Sequence, residues 1–417
     1  MLSPNGFSPK TKGSFSNKHA ILNLIRFTPE GISRADLARQ LGLSRAAITS
    51  IINNLIELGI VRETTVGPVT GGRRSKLLGI EPKGGYVVGV DIGATHLGLL
   101  LSDLSAQVLD ESESKFDVSQ GAEICLSKVD ELLHQLLSKV NLDLEDICAV
   151  GVGVPGPVVE QAGGVIAPPI MPGWDHFPIR DHLTALWSCP VALNNDAELG
   201  ALGEWAYGAG RGEDHLLYIK VGYGVGAGLL IDGQVYRGAT GSAGEIGHIT
   251  VDDRGPVCTC GNVGCLEALA GGRAIAERAK QTIWNANQRT QLSLTSSVDG
   301  ITAVDVAAAA EKGDLVAQAI ITEAGEYLGV AIANLINIVN PGMVIVGGGV
   351  ARMGDLFLEP IRSSVRKRSL EAAVENLRIT AAMLGRRSTS MGAVVQALSI
   401  ALQNITESSS ELIKESL

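Results

Sequence analysis

The sequence predicts an α/β protein that carries a small helical domain at its N-terminus. From Tyr86 onwards, apolar β-branched segments alternate with helical ones, which is typical of layered α/β folds. The 51 glycines lie within these apolar stretches, where they indicate tight turns between elements. Residues 18–58 instead show helical periodicity interrupted by glycine, and residues 60–80 have the pattern of two short strands around a Gly/Pro-rich tip.

Composition indicates a soluble protein with more than one core. Of the 417 residues, 45% are hydrophobic and 19% charged, and a chain of this length suggests about two to four domains. No apolar run approaches the roughly 20 residues that span a bilayer, and the N-terminus lacks the apolar core of a signal peptide. Six cysteines are too few for a disulfide scaffold. We therefore expect a cytoplasmic protein with no membrane partner.

Charge is distributed unevenly along the chain. The net charge is −10, yet residues 1–83 contain 12 Lys and Arg against 5 Asp and Glu, which leaves +7 there and −17 in the remainder. A basic head on an acidic body predicts that only the head meets a polyanion such as DNA. Short segments also fluctuate in charge, so this asymmetry alone is weak evidence.

Composition divides the chain into four segments. We predict a flexible lead-in, a head domain, a large α/β body and a frayed tail, which cover 1–16, 17–82, 83–405 and 406–417. The character of the sequence changes after Pro82-Lys83-Gly84-Gly85, where the helical head gives way to alternating strands and helices.

The head is predicted to contain three helices followed by a hairpin. The helices share apolar periodicity and cover 18–27, 33–41 and 44–58. Ser33 with Asp36 three positions later forms a start of the capping-box type, and Ser44 can cap the third helix after a break at Gly42. Three helices and a hairpin are the pattern of a winged helix-turn-helix.

The third helix and the hairpin carry the candidate DNA contacts. With Ile48, Ile51, Ile52 and Leu55 facing inward, the polar residues near the helix N-terminus lie where a recognition helix meets base edges. The basic tip is flanked by glycines, which let its backbone approach phosphates. The predicted contacts are Ser44, Arg45, Thr49, Ser50, Asn53, Arg73, Arg74 and Lys76. Any helical trio has polar residues outside and a basic turn can be merely solvated, but the combination favours DNA binding.

The most specific chemical signal lies at 241–267. His248 is followed by Cys258, Cys260 and Cys265 in the pattern H-x9-C-x-C-x4-C. One imidazole and three thiolates form a closed tetrahedral set suited to structural Zn²⁺, with no open position for catalysis. Three unrelated core cysteines are the alternative. Their close spacing in glycine-rich sequence instead predicts a structural zinc ion.

Taken together, these motifs resemble the ROK family (repressors, open reading frames, kinases). The resemblance rests on the cysteine cluster, the preceding Glu-Ile-Gly-His, the following Cys-Leu-Glu and the Asp-Ile-Gly-Ala-Thr that starts at Asp91. The added winged helix-turn-helix is similar to the xylose and N-acetylglucosamine repressor branch, since the sugar kinases are shorter. The resemblance implies a two-lobed body of the actin/hexokinase (ribonuclease H-like) type, hinged near 195–215 and 375–385, that closes on a sugar.

The resemblance also implies which residues hold the sugar. These are Asn195, Asp196, Glu245, His248 and Glu267. Carboxylates that accept paired hydroxyl hydrogen bonds give affinity and stereochemical selection. One ring nitrogen of His248 can serve the zinc ion while the other meets a sugar hydroxyl. Ordinary surface carboxylates are the alternative for Glu245 and Glu267, and a helix cap is the alternative for Asn195-Asp196.

The resemblance also implies three glycine loops for a nucleotide: two correspond to the phosphate loops of the family's kinases and the third to a glycine patch on the adenosine side. They contain Asp91, Gly93 and Thr95; Gly222, Gly224 and Gly226; and Gly347, Gly348 and Gly349. In a kinase that uses ATP and Mg²⁺, Asp196 would be the general base. The chain departs from the kinase pattern at Ala94, His96 and Tyr223, and Ile170 replaces a sugar-contacting Asn. These departures favour a sensor with vestigial loops.

One function and two alternatives follow from these inferences. We expect a sugar-responsive transcriptional repressor of carbohydrate-metabolism genes: a homodimer, or a tetramer, whose affinity for operator DNA changes when sugar closes the lobes. A sugar kinase with a DNA-binding head would instead turn over ATP. A constitutive DNA-binding protein would ignore sugar.

Overall fold

A computed structural model describes most of the chain. The described residues are 17–28, 30–66, 76–159, 162–166, 168, 170–285, 290, 292 and 298–415. The predicted lead-in and the hairpin tip with Arg73 and Arg74 lie outside them. Within the described residues, the chain forms a head and two α/β lobes.

The head contains three helices and three short strands. Its elements are α1 (Asn17–Arg26), β1 (Ile32–Ser33), α2 (Arg34–Leu41), α3 (Arg45–Glu57), β2 (Val61–Val66) and β3 (Lys76–Ile80). The sequence did not predict β1, which pairs with β3 and makes the hairpin a three-stranded sheet in the order β1-β3-β2. This is the winged helix-turn-helix arrangement that the sequence predicted.

The helix starts in the head follow from capping chemistry. Ser33 Oγ accepts a hydrogen bond from the Asp36 N–H, and Ser44 Oγ accepts one from the Ala47 N–H, so both predicted caps are confirmed. Gly42 ends α2 with φ of 66°, a left-handed conformation that favours glycine.

The first lobe is built on a five-stranded sheet. Its elements are β4 (Tyr86–Ile92), β5 (His96–Asp103), β6 (Val108–Lys115), α4 (Ala122–Lys139), β7 (Ile147–Val154), β8 (Val158–Val159), β9 (Gly164–Val165), α5 (Ile179–Trp187) and β10 (Val191–Asn195). The strand order is β10-β7-β4-β5-β6, with β4, β5 and β6 antiparallel and β4, β7 and β10 parallel. Both faces of β4 are buried, as its unbroken apolar sequence requires.

The second lobe repeats this pattern. Its elements are β11 (Leu216–Val221), β12 (Val225–Ile231), β13 (Gln234–Val235), α7 (Leu266–Ala270), α8 (Gly272–Asn285), α9 (Ala303–Glu311), α10 (Leu315–Val339), β14 (Met343–Gly347), α11 (Asp355–Arg368), α12 (Glu371–Val374) and β15 (Arg378–Ala381). The order β13-β12-β11-β14-β15 again joins three antiparallel strands to two parallel ones. Two sheets of one topology confirm the two-lobed ribonuclease H-like fold.

Two helices run between the lobes. The chain leaves the first lobe through α6 (Asp196–Tyr207) and returns to it through α13 (Ser388–Glu415). They pack closely, because a Cβ at Gly392 would lie 1.8 Å from the Leu199 carbonyl oxygen. α13 also packs on β4 and β7 of the first lobe, while α6 packs on β11 and β12 of the second. Because α13 extends to Glu415, it includes most of residues 406–417, which the sequence predicted as a frayed tail.

The most apolar helix is α10. Among the described residues it alone is long and apolar enough to cross a membrane, but 56% of its apolar window is buried inside the protein. It packs against α9 and α11 within the core of the second lobe. An apolar helix of this length was not expected from the sequence, and core burial accounts for it.

The head shares a core with the body. Its buried residues form one apolar cluster with residues of the first-lobe sheet and of α13. That cluster includes Ile21, Leu37, Ile48, Leu78, Val87, Leu100, Ala149, Val394 and Leu398. The head is therefore packed on the body and is not merely tethered by the turn at Pro82–Gly84.

Candidate functional site

The junction between β10 and α6 lies in the cleft between the lobes. Asn195 Oδ1 accepts hydrogen bonds from the N–H groups of Ala197 (2.8 Å) and Glu198 (3.2 Å), and its Nδ2 donates to Gly156 O at 3.0 Å. Asn195 is thus the N-cap of α6, the alternative that the sequence left open. One amide hydrogen remains for a ligand, and its sugar contact stays a prediction.

A buried lysine joins the predicted acidic residues. Lys220 Nζ lies 2.8 Å from Asp196 Oδ2, 3.5 Å from Asp91 Oδ1 and 3.1 Å from Thr389 Oγ1. These partners come from α6, β4 and α13, while Lys220 itself lies in β11 of the second lobe. Sequence reasoning missed Lys220, although one charged residue in the apolar strand LLYIKV was an available signal.

The charges in this group stabilise one another. Burial opposes the charged form of Lys220, but the carboxylates of Asp196 and Asp91 outweigh it and raise the pKa of Lys220 above its usual value. Burial likewise opposes ionisation of Asp91, yet Lys220 and His96 hold the pKa of Asp91 below its usual range. The group therefore contains ionised partners, as a paired buried charge requires.

The other predicted carboxylates complete an acidic wall. Burial raises the pKa of Glu245, His248 opposes this effect, and the carboxylates of Asp196 and Glu267 raise it further. Asp196 and Glu267 therefore both act on Glu245. Together they offer several acceptors to a ligand rich in hydroxyl groups.

Glu267 connects the turn after β11 with the cysteine segment. Its Oε2 accepts a hydrogen bond from Val225 N at 3.2 Å, and its Oε1 accepts one from Thr259 Oγ1 at 3.2 Å. A Cβ at Gly224 would lie 2.1 Å from Glu267 Oε2, so glycine is needed there for this carboxylate to fit. Glu267 is not an ordinary surface carboxylate.

The structure brings the four predicted metal ligands together. Donor atoms of His248, Cys258, Cys260 and Cys265 all lie within 4.8 Å of one another. The Cys260 and Cys265 sulfurs are 3.7 Å apart, and Cys258 Sγ lies 3.7 Å from His248 Nδ1. Two thiolates on one tetrahedral zinc at about 2.3 Å are separated by about 3.8 Å, so the donor set fits Zn²⁺.

His248 faces both the cysteine cluster and the cleft. While its Nδ1 lies beside Cys258, its Nε2 lies 4.0 Å from Glu245 Oε2. An ion held by the cluster would fix the orientation of this ring and present Nε2 to the cleft. The geometry thus accommodates the two roles predicted for His248.

The first glycine loop is filled by protein atoms. A Cβ at Gly93 would lie 2.2 Å from His96 Cε1, so the imidazole packs directly on the loop. His96 Nε2 also lies 3.2 Å from Asp91 Oδ2. With Lys220 at Oδ1, both oxygens of Asp91 have protein partners. Thr95 is exposed, and a role of this loop in phosphate binding stays a prediction.

The second glycine loop supports the lobe itself. Gly222 O accepts the N–H of Gly272 at 2.9 Å, and a Cβ at Gly226 would lie 3.3 Å from Ala197 Cβ. Tyr223 is 41% exposed and lines a cavity of about 330 Å³ beside Glu267. The loop glycines have structural reasons of their own, and a phosphate role stays a prediction.

Two glycines of the third loop are also required by close packing. A Cβ at Gly347 would lie 2.2 Å from the Tyr218 hydroxyl, and one at Gly348 would lie 2.2 Å from Val221 O, where φ is +90°. A Cβ at Gly349, in contrast, would meet no described heavy atom within 4 Å. Close packing of β14 on β11 therefore explains the first two glycines.

Two departures from the kinase pattern lie at the core of the first lobe. Ala94 and Ile170 are both partly buried and pack against its apolar cluster. Ile170 thus contributes to packing where the family's kinases have a sugar-contacting Asn. Sequence reasoning also missed Glu198, a buried acid whose Oε2 accepts from Arg237 Nε at 3.1 Å.

The third helix of the head presents a polar face to solvent. All five of its predicted DNA contacts are exposed: Ser44, Arg45, Thr49, Ser50 and Asn53. The predicted inward side is buried at Ile48, Ile52 and Leu55 and partly buried at Ile51.

Some of the predicted contacts already have protein partners. Thr49 Oγ1 donates to Arg45 O at 2.8 Å, and Asn53 Oδ1 accepts from Arg34 Nη1 at 2.8 Å. Lys76 pairs with Glu63. Arg45 and Ser50 are the exposed contacts whose side chains make no hydrogen bond within the described part of the chain.

Family comparisons agree with this architecture. A model described as "ROK family" matches residues 87–400, well over half of the chain. The chain belongs to the ROK family. A second model, "Winged helix-turn-helix DNA-binding", matches residues 16–62. This ROK protein therefore combines the family's body with a head of DNA-binding type.

Regulators and kinases are both similar to this ROK protein. The xylose repressor of Caldicellulosiruptor bescii is 34% identical over 88% of this chain and 92% of its own length. The glucokinase of Halalkalibacterium halodurans is 35% identical over 74% of this chain and 93% of its own length. A solved ROK family transcriptional regulator, a homolog of the E. coli MLC protein, has a TM-score of 0.78 at 29% identity and covers 94% of this chain and 98% of its own. The similarity to regulators thus spans more of the chain.

Proposed function

We propose that this ROK protein is a sugar-responsive transcriptional repressor whose operator affinity falls when a sugar binds in the cleft. The relatives that match nearly the whole chain are named repressors or regulators. The acidic wall of Asp196, Glu245 and Glu267, in which Glu245 Oε2 lies 4.0 Å from His248 Nε2, supports a sugar as the ligand. The zinc ion that we place at the cysteine cluster would be structural.

The observation that carries this proposal is a direct connection between cleft and head. Helix α6 begins at Asp196 in the cleft and ends at Tyr207 against the head, a span of about 18 Å for 12 residues at about 1.5 Å each. Helix α13 begins beside the same site, where Thr389 contacts Lys220. A change in the lobes that shifts these helices relative to each other therefore reaches the head.

The head meets both helices through the end of α1. The Arg26 side chain is buried, and its Nη1 donates to Val395 O at 3.3 Å and its Nη2 to Ser399 Oγ at 3.4 Å, both in α13. The neighbouring Phe27 ring lies 5.4 Å from the Trp205 ring, at the end of α6, and its centroid is 4.4 Å from Arg26 Cζ. We call Arg26 and Phe27 the latch.

Operator recognition in this proposal needs two heads. A homodimer would place two winged helices about one DNA turn apart on a pseudo-palindrome, and a tetramer would pair two such sites. Such a protein acts where the chromosome is, in the cytoplasm. Ligand binding that closes the lobes changes the spacing of the heads, and the two states then differ in operator affinity.

The test combines selected DNA with a sugar panel. Genomic fragments that bind the purified full chain are selected, and their affinity is measured by fluorescence anisotropy with pentoses, hexoses, N-acetylated hexosamines and their phosphates. We expect one sugar to weaken binding about tenfold or more, without ATP consumption when Mg²⁺-ATP is added. Equal operator affinity with every sugar would sink the proposal, and stoichiometric ATP turnover would establish a kinase.

Disrupting the latch should uncouple operator binding from sugar binding. In Phe27→Ala, we expect the affinity for sugar, measured by calorimetry, and the affinity for operator without sugar each to change by less than about threefold. The change in operator affinity that sugar causes should itself fall below about threefold. The reason is that the ring contact with α6 is lost and the sites themselves are untouched.

A matched variant controls for this result. Tyr207→Phe keeps the neighbouring ring and removes a buried hydroxyl that has no hydrogen-bond partner within the described ranges, so the sugar response should survive. A full sugar response in Phe27→Ala would show that coupling takes another route.

Removing Arg45 should weaken DNA binding specifically. We expect Arg45→Ala to cost about 1–3 kcal/mol in operator affinity, with a smaller slope of log affinity against log salt if Arg45 contacts a phosphate. Lys139→Ala removes the same charge from α4 of the first lobe and should leave affinity nearly unchanged. Equal losses in both variants would indicate a general charge effect and would argue against a reading role for α3.

A further inference from the structure

We propose that Lys220 is a specificity-determining residue: its ammonium group, held between Asp91 and Asp196, takes the position of a divalent cation and makes this cleft a site for an uncharged sugar. This inference deepens the proposed function and rests on it. It names one side chain of the second lobe that would set the class of ligand accepted by the cleft.

The ammonium group is held on every side. It has three hydrogens, and three oxygens lie within reach: Asp196 Oδ2 at 2.8 Å, Thr389 Oγ1 at 3.1 Å and Asp91 Oδ1 at 3.5 Å. Its side chain is only 14% exposed. The backbone is fixed as well, because Lys220 lies in the central strand β11 and pairs with residues of both β12 and β14.

A metal ion does not fit beside this group. Mg²⁺ requires about six oxygen ligands at about 2.1 Å in near-octahedral geometry. Both Asp91 oxygens are engaged, Oδ1 by Lys220 and Oδ2 by His96 at 3.2 Å. A divalent cation at the two carboxylates would also lie next to a buried positive charge, and this repulsion is strong at low dielectric.

The same contacts define what the cleft can accept. Asp196 Oδ2 is engaged by Lys220, whereas Oδ1 accepts no hydrogen bond from the described part of the chain, which leaves it open to a sugar hydroxyl. Asp91, Asp196, Glu245 and Glu267 outnumber the single ammonium group, and its hydrogens are already taken. A phosphate group beside Asp196 would meet these carboxylates while the nearest ammonium group is already engaged, so an uncharged sugar is favoured over its phosphate.

Titration with Mn²⁺, a paramagnetic probe for Mg²⁺, tests the cation's position. Zinc-loaded full-length protein is titrated by electron paramagnetic resonance as wild type, Lys220→Met, Lys220→Arg and the double variant Lys220→Met/Asp91→Asn. We expect Lys220→Met to bind one Mn²⁺ at least about tenfold more tightly than wild type, because two facing carboxylates lose their counter-ion. This gain should be absent in Lys220→Arg and in the double variant, and Lys128→Met should match wild type.

If Lys220→Met does not fold, the Mn²⁺ titration of the wild type and of Asp91→Asn still tests the proposal. Mn²⁺ binding by the wild type that is lost in Asp91→Asn overturns the proposal, and so does a folded Lys220→Met that gains no Mn²⁺ site. A wild type without Asp91-dependent Mn²⁺ binding supports it. In calorimetry the inducing sugar should bind at least about tenfold more tightly than its phosphate, and the reverse order would overturn the assignment of ligand class. A wild type that binds no sugar refutes the proposed function. The Mn²⁺ titrations would still test whether Lys220 takes the position of a divalent cation.

Discussion

Replacing Glu204 by Gln should destabilise the protein by about 3–5 kcal/mol. The Glu204 side chain is fully buried at the point where both chain crossings between the lobes meet. It accepts four hydrogen bonds: two on Oε2, from Ala209 N (2.9 Å) and Met383 N (3.0 Å), and two on Oε1, from Leu384 N (2.8 Å) and Ser388 Oγ (2.8 Å). Gln would place an NH₂ group against two of these donors, which would lose their acceptor beside a fully buried side chain.

Urea unfolding followed by circular dichroism, with limited proteolysis at the crossings, measures this effect. Glu213→Gln makes the same chemical change near one crossing, where Glu213 pairs with the largely exposed Arg378. Its cost should be under about 1 kcal/mol, since exposed ion pairs contribute little. Equal losses in the two variants would mean that Glu204 does not hold the crossings together.

Local signals made the head and the cysteine cluster predictable. Ser33 and Ser44 each cap a helix through the residue three positions later, so the information lies within one turn of chain. The metal ligands span 248–265, and their identity alone indicates the chemistry. The hairpin strands follow from apolar alternation in the same way.

Contacts between distant parts of the chain were not predictable from such signals. Lys220 is 129 residues from Asp91 and 169 from Thr389, and Glu204 is 179 residues from Met383. Arg26 is 369 residues from Val395. A charged residue in an apolar segment signals that a partner exists, but the topology alone decides which partner it meets.

Family resemblance predicted a set of residues for the cleft but not what each one contacts. Asn195 has most of its hydrogen-bonding capacity engaged in the cap of α6, and Glu267 joins two loops through Val225 and Thr259. These roles depend on neighbours brought together by the fold. They also explain why sugar binding should depend on the cysteine segment, since Thr259 lies between Cys258 and Cys260.

Removing one cysteine ligand should therefore weaken sugar binding strongly. We expect Cys258→Ser to lose about one zinc per chain by elemental analysis and to weaken sugar binding about 100-fold or more. His248 and Glu267 would lose their fixed positions, and each charged hydrogen bond is worth about 1.5–3 kcal/mol. Chelation of the wild type should give the same loss, reversed by added Zn²⁺.

The control is a cysteine outside the cluster. Cys148 is half-buried in the first lobe, and Cys148→Ser should keep both the zinc and the sugar. Operator binding without sugar should persist in Cys258→Ser, because the head packs on α6 and α13 and not on the cysteine segment. Such a variant would repress without responding to its inducer. If Cys258→Ser loses its zinc yet binds sugar normally, then the ion does not orient His248, and the acidic wall alone holds the ligand.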